Sequence, residues 1–189
     1  YEAAPLAAAV TVEALFTPQK ARSDGWAVAG VAIVADPDNY WQLALVQMPP
    51  EQGGRPMVEL GEMRDCQWPV QHNLKMEINE APALPWAFGQ PHRLTLSMDA
   101  EGVTGTILAP DGRLILRRRF AFTAAAVRVG RPALRVSGIM GVYGAVRAAW
   151  AQPATNDDAG HHPTRPRQGP LRPRRTLRPQ RRLRPQPMR

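Results

Sequence analysis

Apolar and polar residues alternate along most of the first 150 positions. Val10, Val12, Ala14 and Phe16 fall on one parity, Thr11 and Glu13 on the other, and Pro18 ends the run. A period of two sends successive side chains to opposite faces, so 10–16 reads as a strand with one buried face. Positions 28–35 are apolar on both parities, the pattern of a strand covered on both sides. Asp36-Pro37-Asp38-Asn39 follows as a turn: Pro37 presets φ, and Asp and Asn side chains bond the backbone just downstream. In 40–47, Trp41, Leu43 and Leu45 share one face, and Tyr40, Gln42, Ala44 and Val46 share the other. Further strands are predicted at 57–63, around 74–78, and at 92–98, 103–109, 113–122, 133–137 and 140–148. Turns such as Asp99-Ala100-Glu101-Gly102 and Pro110-Asp111-Gly112 separate them. The alanines at 7–9 and 124–126 are too few to nucleate a helix and read as loops. Short strands at this spacing predict an all-β fold, a sandwich of two antiparallel sheets or a barrel. Trp41, Leu43, Leu94, Leu96, Phe120 and Phe122 are the expected core. Each contributes about 1.5–3 kcal/mol when fully buried.

Charge divides the 189 residues at about position 150. Residues 151–189 hold ten Arg and two Asp, which accounts for the whole formal charge of +8. Residues 1–150 hold 14 basic and 14 acidic side chains and are neutral. The chain is therefore expected to comprise a β domain over 1–150 and an Arg/Pro-rich tail over 151–189. With eight Pro and no aromatic ring, the tail cannot bury enough apolar surface to offset its chain entropy, and disorder is expected there. Such a tail offers nonspecific binding to nucleic acid or an anionic surface. It lacks the rings that interleave with bases, so nucleic acid is not the expected partner. Of the 24 basic residues, 22 are Arg, a bias that fits a GC-rich coding sequence. Cys66 is the sole cysteine, which excludes an internal disulfide and a cysteine-based zinc site. No run of 18 apolar residues spans a membrane as a helix. The chain starts at Tyr1 and reads as a fragment of a longer protein.

The run Gly25-Trp26-Ala27-Val28-Ala29-Gly30 through Asp36-Pro37-Asp38-Asn39-Tyr40-Trp41 resembles the paired strands of concanavalin A-like and laminin-G-like jelly-roll domains. The hairpin His92-Arg93-Leu94-Thr95-Leu96 with Val103-Thr104-Gly105-Thr106-Ile107 is similar to a strand pair of that family, and Val129-Gly130-Arg131-Pro132 to its closing segment. The resemblance covers roughly 10–148 and implies a jelly roll that lacks its first strand or strands. It looks like the bacterial kind similar to 3-keto-disaccharide hydrolase domains. That implies a non-catalytic carbohydrate-associated or interaction module within a larger exported, extracellular or periplasmic, polysaccharide-processing protein. Glycans or other domains of that protein are the implied partners.

Four constellations bear on chemistry. Glu59 and Glu62 are the candidate catalytic pair of an alternative reading, a glycoside hydrolase of the same fold. Their spacing of three sends them to opposite faces of a regular strand, and only a bulge at Gly61 brings them together. Trp68 and Trp86, with Gln71 and Asn73, are the candidate carbohydrate contacts, on a concave sheet face and its loops. A ring stacks on a pyranose, and amides pair with hydroxyls in both directions. Asp36, Asp38 and Asn39 are oxygen-bearing candidates for Ca²⁺, the one cofactor considered, although a tight turn explains them too. Arg117-Arg118-Arg119 is expected as a solvated basic stretch of a strand.

Overall fold

The computed structural model describes residues 4–22, 25–73 and 86–151. They belong to the first of two units into which the chain divides, Tyr1–Ala154. The second unit, the expected tail and the strand expected near 74–78 lie outside the described residues.

Among the described residues, nine strands form two sheets. Their order in sequence is β1 (Ala9–Ala21), β2 (Ala27–Asp36), β3 (Asn39–Gln47), β4 (Pro56–Met63), β5 (His92–Met98), β6 (Gly102–Leu108), β7 (Leu114–Ala121), β8 (Arg131–Ser137) and β9 (Ile139–Ala151). One sheet runs β7-β6-β5-β1-β9, the other β4-β3-β2-β8, and every ladder is antiparallel. The sheets pack as a β-sandwich. Among the described residues there is no α-helix, only the single 3₁₀ turns Pro50–Gln52 and Val70–His72. No helix there is long and apolar enough to cross a membrane.

The core follows the parity of the sequence. Val10, Val12, Ala14 and Phe16 of β1 meet Val31 and Ile33 of β2 and Trp41, Leu43 and Leu45 of β3. Gly105 of β6 packs closely on the opposite sheet: a Cβ there would stand 3.0 Å from Leu43 Cδ1 and 3.1 Å from Leu60 Cδ1. A second, smaller cluster of Ala44, Val46, Met48 and Met57 covers the opposite face of β3 and β4. The β-sheet therefore buries both faces there, which is why 41–46 are all buried.

Tyr143 of β9 ties the sheets together. Its ring packs on Phe16 at 4.5 Å. Its hydroxyl hydrogen is shared between the carbonyls of Gly30, at 2.8 Å, and Arg135, at 2.9 Å, on the opposite sheet. Burial raises this phenol above its ordinary value.

Two expectations are corrected. Pro18 does not end β1, which continues to Ala21. The β1–β5 ladder stops at Phe16, so no N–H is required of residue 18 on that side, and the β9 ladder absorbs the proline with a register shift between Pro18 and Lys20. Leu114, which shares the parity of Leu116, Phe120 and Phe122 in the strand expected over 113–122 and is expected inward with them, is 52% exposed at the start of the edge strand β7.

Candidate functional site

The segment 64–73 straddles the free edge of β4 and sets chemistry on both of its faces. It begins with a two-residue hairpin in which Arg64 and Gln67 exchange backbone hydrogen bonds, each 2.9 Å. Asp65 and Cys66 form its tip with φ of 49° and 61°, the left-handed pair that a type I′ turn requires. The β2–β3 turn clamps this tip. Asn39 Oδ1 accepts from the Asp65 N–H at 3.1 Å, and Asp38 Oδ1 accepts from the Cys66 thiol at 3.0 Å. The Asp38 bond raises the Cys66 thiol above its ordinary value.

On the inner face, His72 enters beneath Trp41, ring centroids 5.0 Å apart, and meets Glu62. Glu62 is 0% exposed and His72 3%. His72 Nδ1 lies 2.5 Å from Glu62 Oε2, and its Nε2 lies 3.0 Å from the Ala121 carbonyl. A carbonyl only accepts, so Nε2 carries a hydrogen, and one further proton is held between Nδ1 and Oε2. The other Glu62 oxygen accepts from the Val127 N–H at 2.6 Å, and the Val127 carbonyl accepts from Trp41 Nε1 at 2.8 Å. This network joins β3, β4, the end of β7 and the 122–130 connection. Both Glu62 oxygens are engaged, and the pair is sealed from solvent.

On the outer face of the four-stranded sheet the arrangement differs. Tyr40 and Gln42 of β3, Glu59 and Gly61 of β4, and Arg131 and Arg135 of β8 share this face by register. Half-buried Trp68 lies against Gly61, where a Cβ would come 3.2 Å from the indole. It meets Tyr40 edge-on, at 6.0 Å and 89°. Arg135 caps the same Tyr40 ring at 5.0 Å. Burial raises the Tyr40 phenol; Arg135 acts against that rise and Glu59 adds to it. Gln42 is 1% exposed, and its buried Oε1 accepts no hydrogen bond among the described residues. A cleft of about 240 Å³ runs beside Tyr40 and Arg135, floored by Ala32 and Ala133. Tyr40, Gln42 and Glu59 are buried on this face, and half-buried Trp68, Arg131 and Arg135 are the side chains it presents.

The sequence-predicted residues distribute as follows. Glu59 and Glu62 do lie on opposite faces, because the β3–β4 register runs through Gly61 without a bulge, Gln42 opposite Gly61 and Trp41 opposite Glu62. The geometry of a retaining pair is therefore absent. Trp68 is on the outer face, Gln71 is exposed and Asn73 is buried where it bridges back to Gly61. Trp86 is not beside Trp68. It is 4% exposed within the main core, and its Nε1 donates to the Met57 carbonyl at 2.7 Å, so it offers no stacking surface. Its ring is large enough to fill the sandwich end, which outweighs the loop character of Pro85-Trp86. Asp36, Asp38 and Asn39 spend oxygens on the turn: Asp36 Oδ1 accepts from the Asp38 N–H at 2.9 Å and from Asn39 Nδ2 at 3.0 Å. Among the described residues no three His, Cys, Asp or Glu gather as a metal site. Arg119 of the basic stretch is paired with Asp99 at 2.8 Å, and Arg118 lies over Phe120.

No protein-family model and no curated protein matches this chain. Solved structures do. The carbohydrate binding module CBM66 from Bacillus subtilis is 12% identical with a TM-score of 0.52, and the match covers 77% of each chain. Tailspike protein 2 of an Escherichia coli O157:H7 bacteriophage is 19% identical with a TM-score of 0.52, over 77% of this chain and 20% of the tailspike. The enzymatically active domain of that tailspike matches at 16% identity and a TM-score of 0.51, over 77% of this chain and 22% of that one. At these identities the likeness concerns the fold alone, a jelly-roll β-sandwich.

Proposed function

We propose that this sandwich is a non-catalytic, carbohydrate-associated module of a larger exported polysaccharide-processing protein, and that it takes glycan on the outer face of the four-stranded sheet. The observation that carries this reading is half-buried Trp68, which lies on the outer face of the sheet against Gly61 and meets Tyr40 edge-on. A sugar presents C–H bonds to a ring such as Trp68 and hydroxyl oxygens to guanidinium groups such as those of half-buried Arg131 and Arg135 on the same face. Binding without hydrolysis is supported by the separation of Glu59 from Glu62 and by the full engagement of Glu62 with Val127 and His72. An open face leaves much of a ligand solvated, so dissociation constants in the millimolar to micromolar range, about −4 to −8 kcal/mol, are expected.

The test is calorimetric titration of the full chain with a panel of oligosaccharides, alongside reducing-end assays on the same compounds. Trp68→Ala is expected to abolish binding while the melting temperature stays within a few degrees. Release of reducing ends by the wild type that Glu59→Gln abolishes would overturn the non-catalytic reading.

A further inference from the structure

Arg131 and Arg135 stand four positions apart on β8, the edge strand of the four-stranded sheet, and both project from its outer face. The Nε of each is buried and donates no hydrogen bond among the described residues. Elsewhere in the sandwich, Arg93 is held by Glu13 at 2.6 Å and Arg119 by Asp99 at 2.8 Å. Neither Arg131 nor Arg135 has a carboxylate within 4.0 Å among the described residues. Each lines a cleft: Arg135 that of about 240 Å³ beside Tyr40, Arg131 a neighbouring one of about 330 Å³. Val34, Pro37 and Ala133 wall both, so the two clefts form one trough along β2 and β8. The carboxylate lining it, Asp36, is committed to Asp38 and Asn39 in its own turn.

Buried N–H groups without acceptors are costly, and these belong to half-buried cationic side chains that line the clefts. A guanidinium matches a carboxylate with two parallel N–H···O bonds, and an anion is the group that satisfies it most fully. Four residues of strand span about 13 Å, too far for one carboxylate to serve both arginines. The matching ligand is extended and carries several anionic groups.

We infer that this trough binds an acidic polysaccharide, with uronate carboxylates at Arg131 and Arg135. The inference rests on the carbohydrate reading above and specifies the class of glycan. The probes are polygalacturonate, a neutral glucan of similar length and a DNA duplex, titrated into the full chain at physiological salt. Arg131→Gln/Arg135→Gln is compared with Arg117→Gln/Arg147→Gln, which removes the same charge from exposed positions and leaves the Arg-rich tail as a common background. The trough pair is expected to weaken polygalacturonate at least about tenfold, the scale of one charge-assisted hydrogen bond, and the control pair less than about twofold. Arg131→Lys/Arg135→Lys, which keeps the charge and loses the fork, is expected to weaken it as well. Equal losses from both Gln pairs, or an equal loss of DNA binding in the trough pair, overturn the inference. Binding of the neutral glucan through Trp68 with no preference for polygalacturonate also overturns it, while leaving the carbohydrate reading standing. Failure of both glycans removes both.

Discussion

The buried Glu62–His72 pair makes a prediction that two substitutions at one position resolve. Glu62→Leu removes the acceptor of the Val127 N–H and the partner of His72 Nδ1, inside a site where both residues are at most 3% exposed. Breaking a buried pair from one side costs about 3–5 kcal/mol, because the remaining polar groups stay desolvated. Glu62→Gln is nearly isosteric and keeps every bond available. Its carbonyl accepts from Val127, its amide donates to Nδ1 of a neutral imidazole, and Nε2–H still donates to the Ala121 carbonyl. Only charge assistance is lost, a matter of about 1–2 kcal/mol. Urea melts followed by tryptophan fluorescence measure both. With a slope of about 2 kcal/mol/M, Glu62→Leu lowers the midpoint by about 2 M and Glu62→Gln by less than about 1 M. Replacing both partners, Glu62→Leu/His72→Phe, is expected to cost less than the two single changes summed, since apolar side chains then face each other. If Glu62→Gln and Glu62→Leu lose equally, hydrogen-bond inventory does not govern this site and the reasoning fails.

Tyr143→Phe keeps the Phe16 contact and deletes the shared hydroxyl, so urea melts should show a loss of about 1–3 kcal/mol; no loss would mean the two carbonyls find other donors. His92 is buried with Nδ1 donating to the Gln90 carbonyl, and desolvation lowers its pKa. The unfolded chain therefore takes up a proton at about pH 6.5 that the folded chain refuses, and stability falls as pH drops below that value. His92→Leu should flatten the stability–pH profile between about pH 7 and pH 5, and an unchanged profile refutes the assignment. Asp38 holds the Cys66 proton, so Asp38→Asn should speed alkylation of Cys66 at mildly alkaline pH, read by mass spectrometry. An unchanged or slower rate would show that Asp38 does not restrain the thiol.

Strand parity was readable wherever one face met the core. The alternation in 10–16 placed Phe16 inward, and the run 41–45 placed Trp41 there, because a period of two is a local property. The spacing of Glu59 and Glu62 likewise gave opposite faces directly. What parity does not supply is neighbours. Arg135 caps Tyr40 only because β8 pairs with β2, a pairing between distant segments that no local pattern encodes. His72 has no His or Cys at a ligand spacing in the sequence, and its partners are reached only through the fold: Glu62, across a hairpin, and the Ala121 carbonyl, far along the chain. Trp86 misled because its flanking proline signals a loop, whereas burial of a large ring is decided by the space at the end of the sandwich.

The pairing of β1 with β9 has a consequence in time. It runs from Ala9 opposite Ala151 to Ala21 opposite Ile139, so the first described strand finds one of its two neighbours only in the last. Contacts between such distant segments must overcome a large loop-closure entropy, and folds built on them form slowly. During synthesis β1 has a long free edge until residue 151 has left the ribosome, and Tyr143 cannot yet lock the sheets. Until β9 pairs, that unpaired edge is the kind of surface through which partly folded β proteins associate.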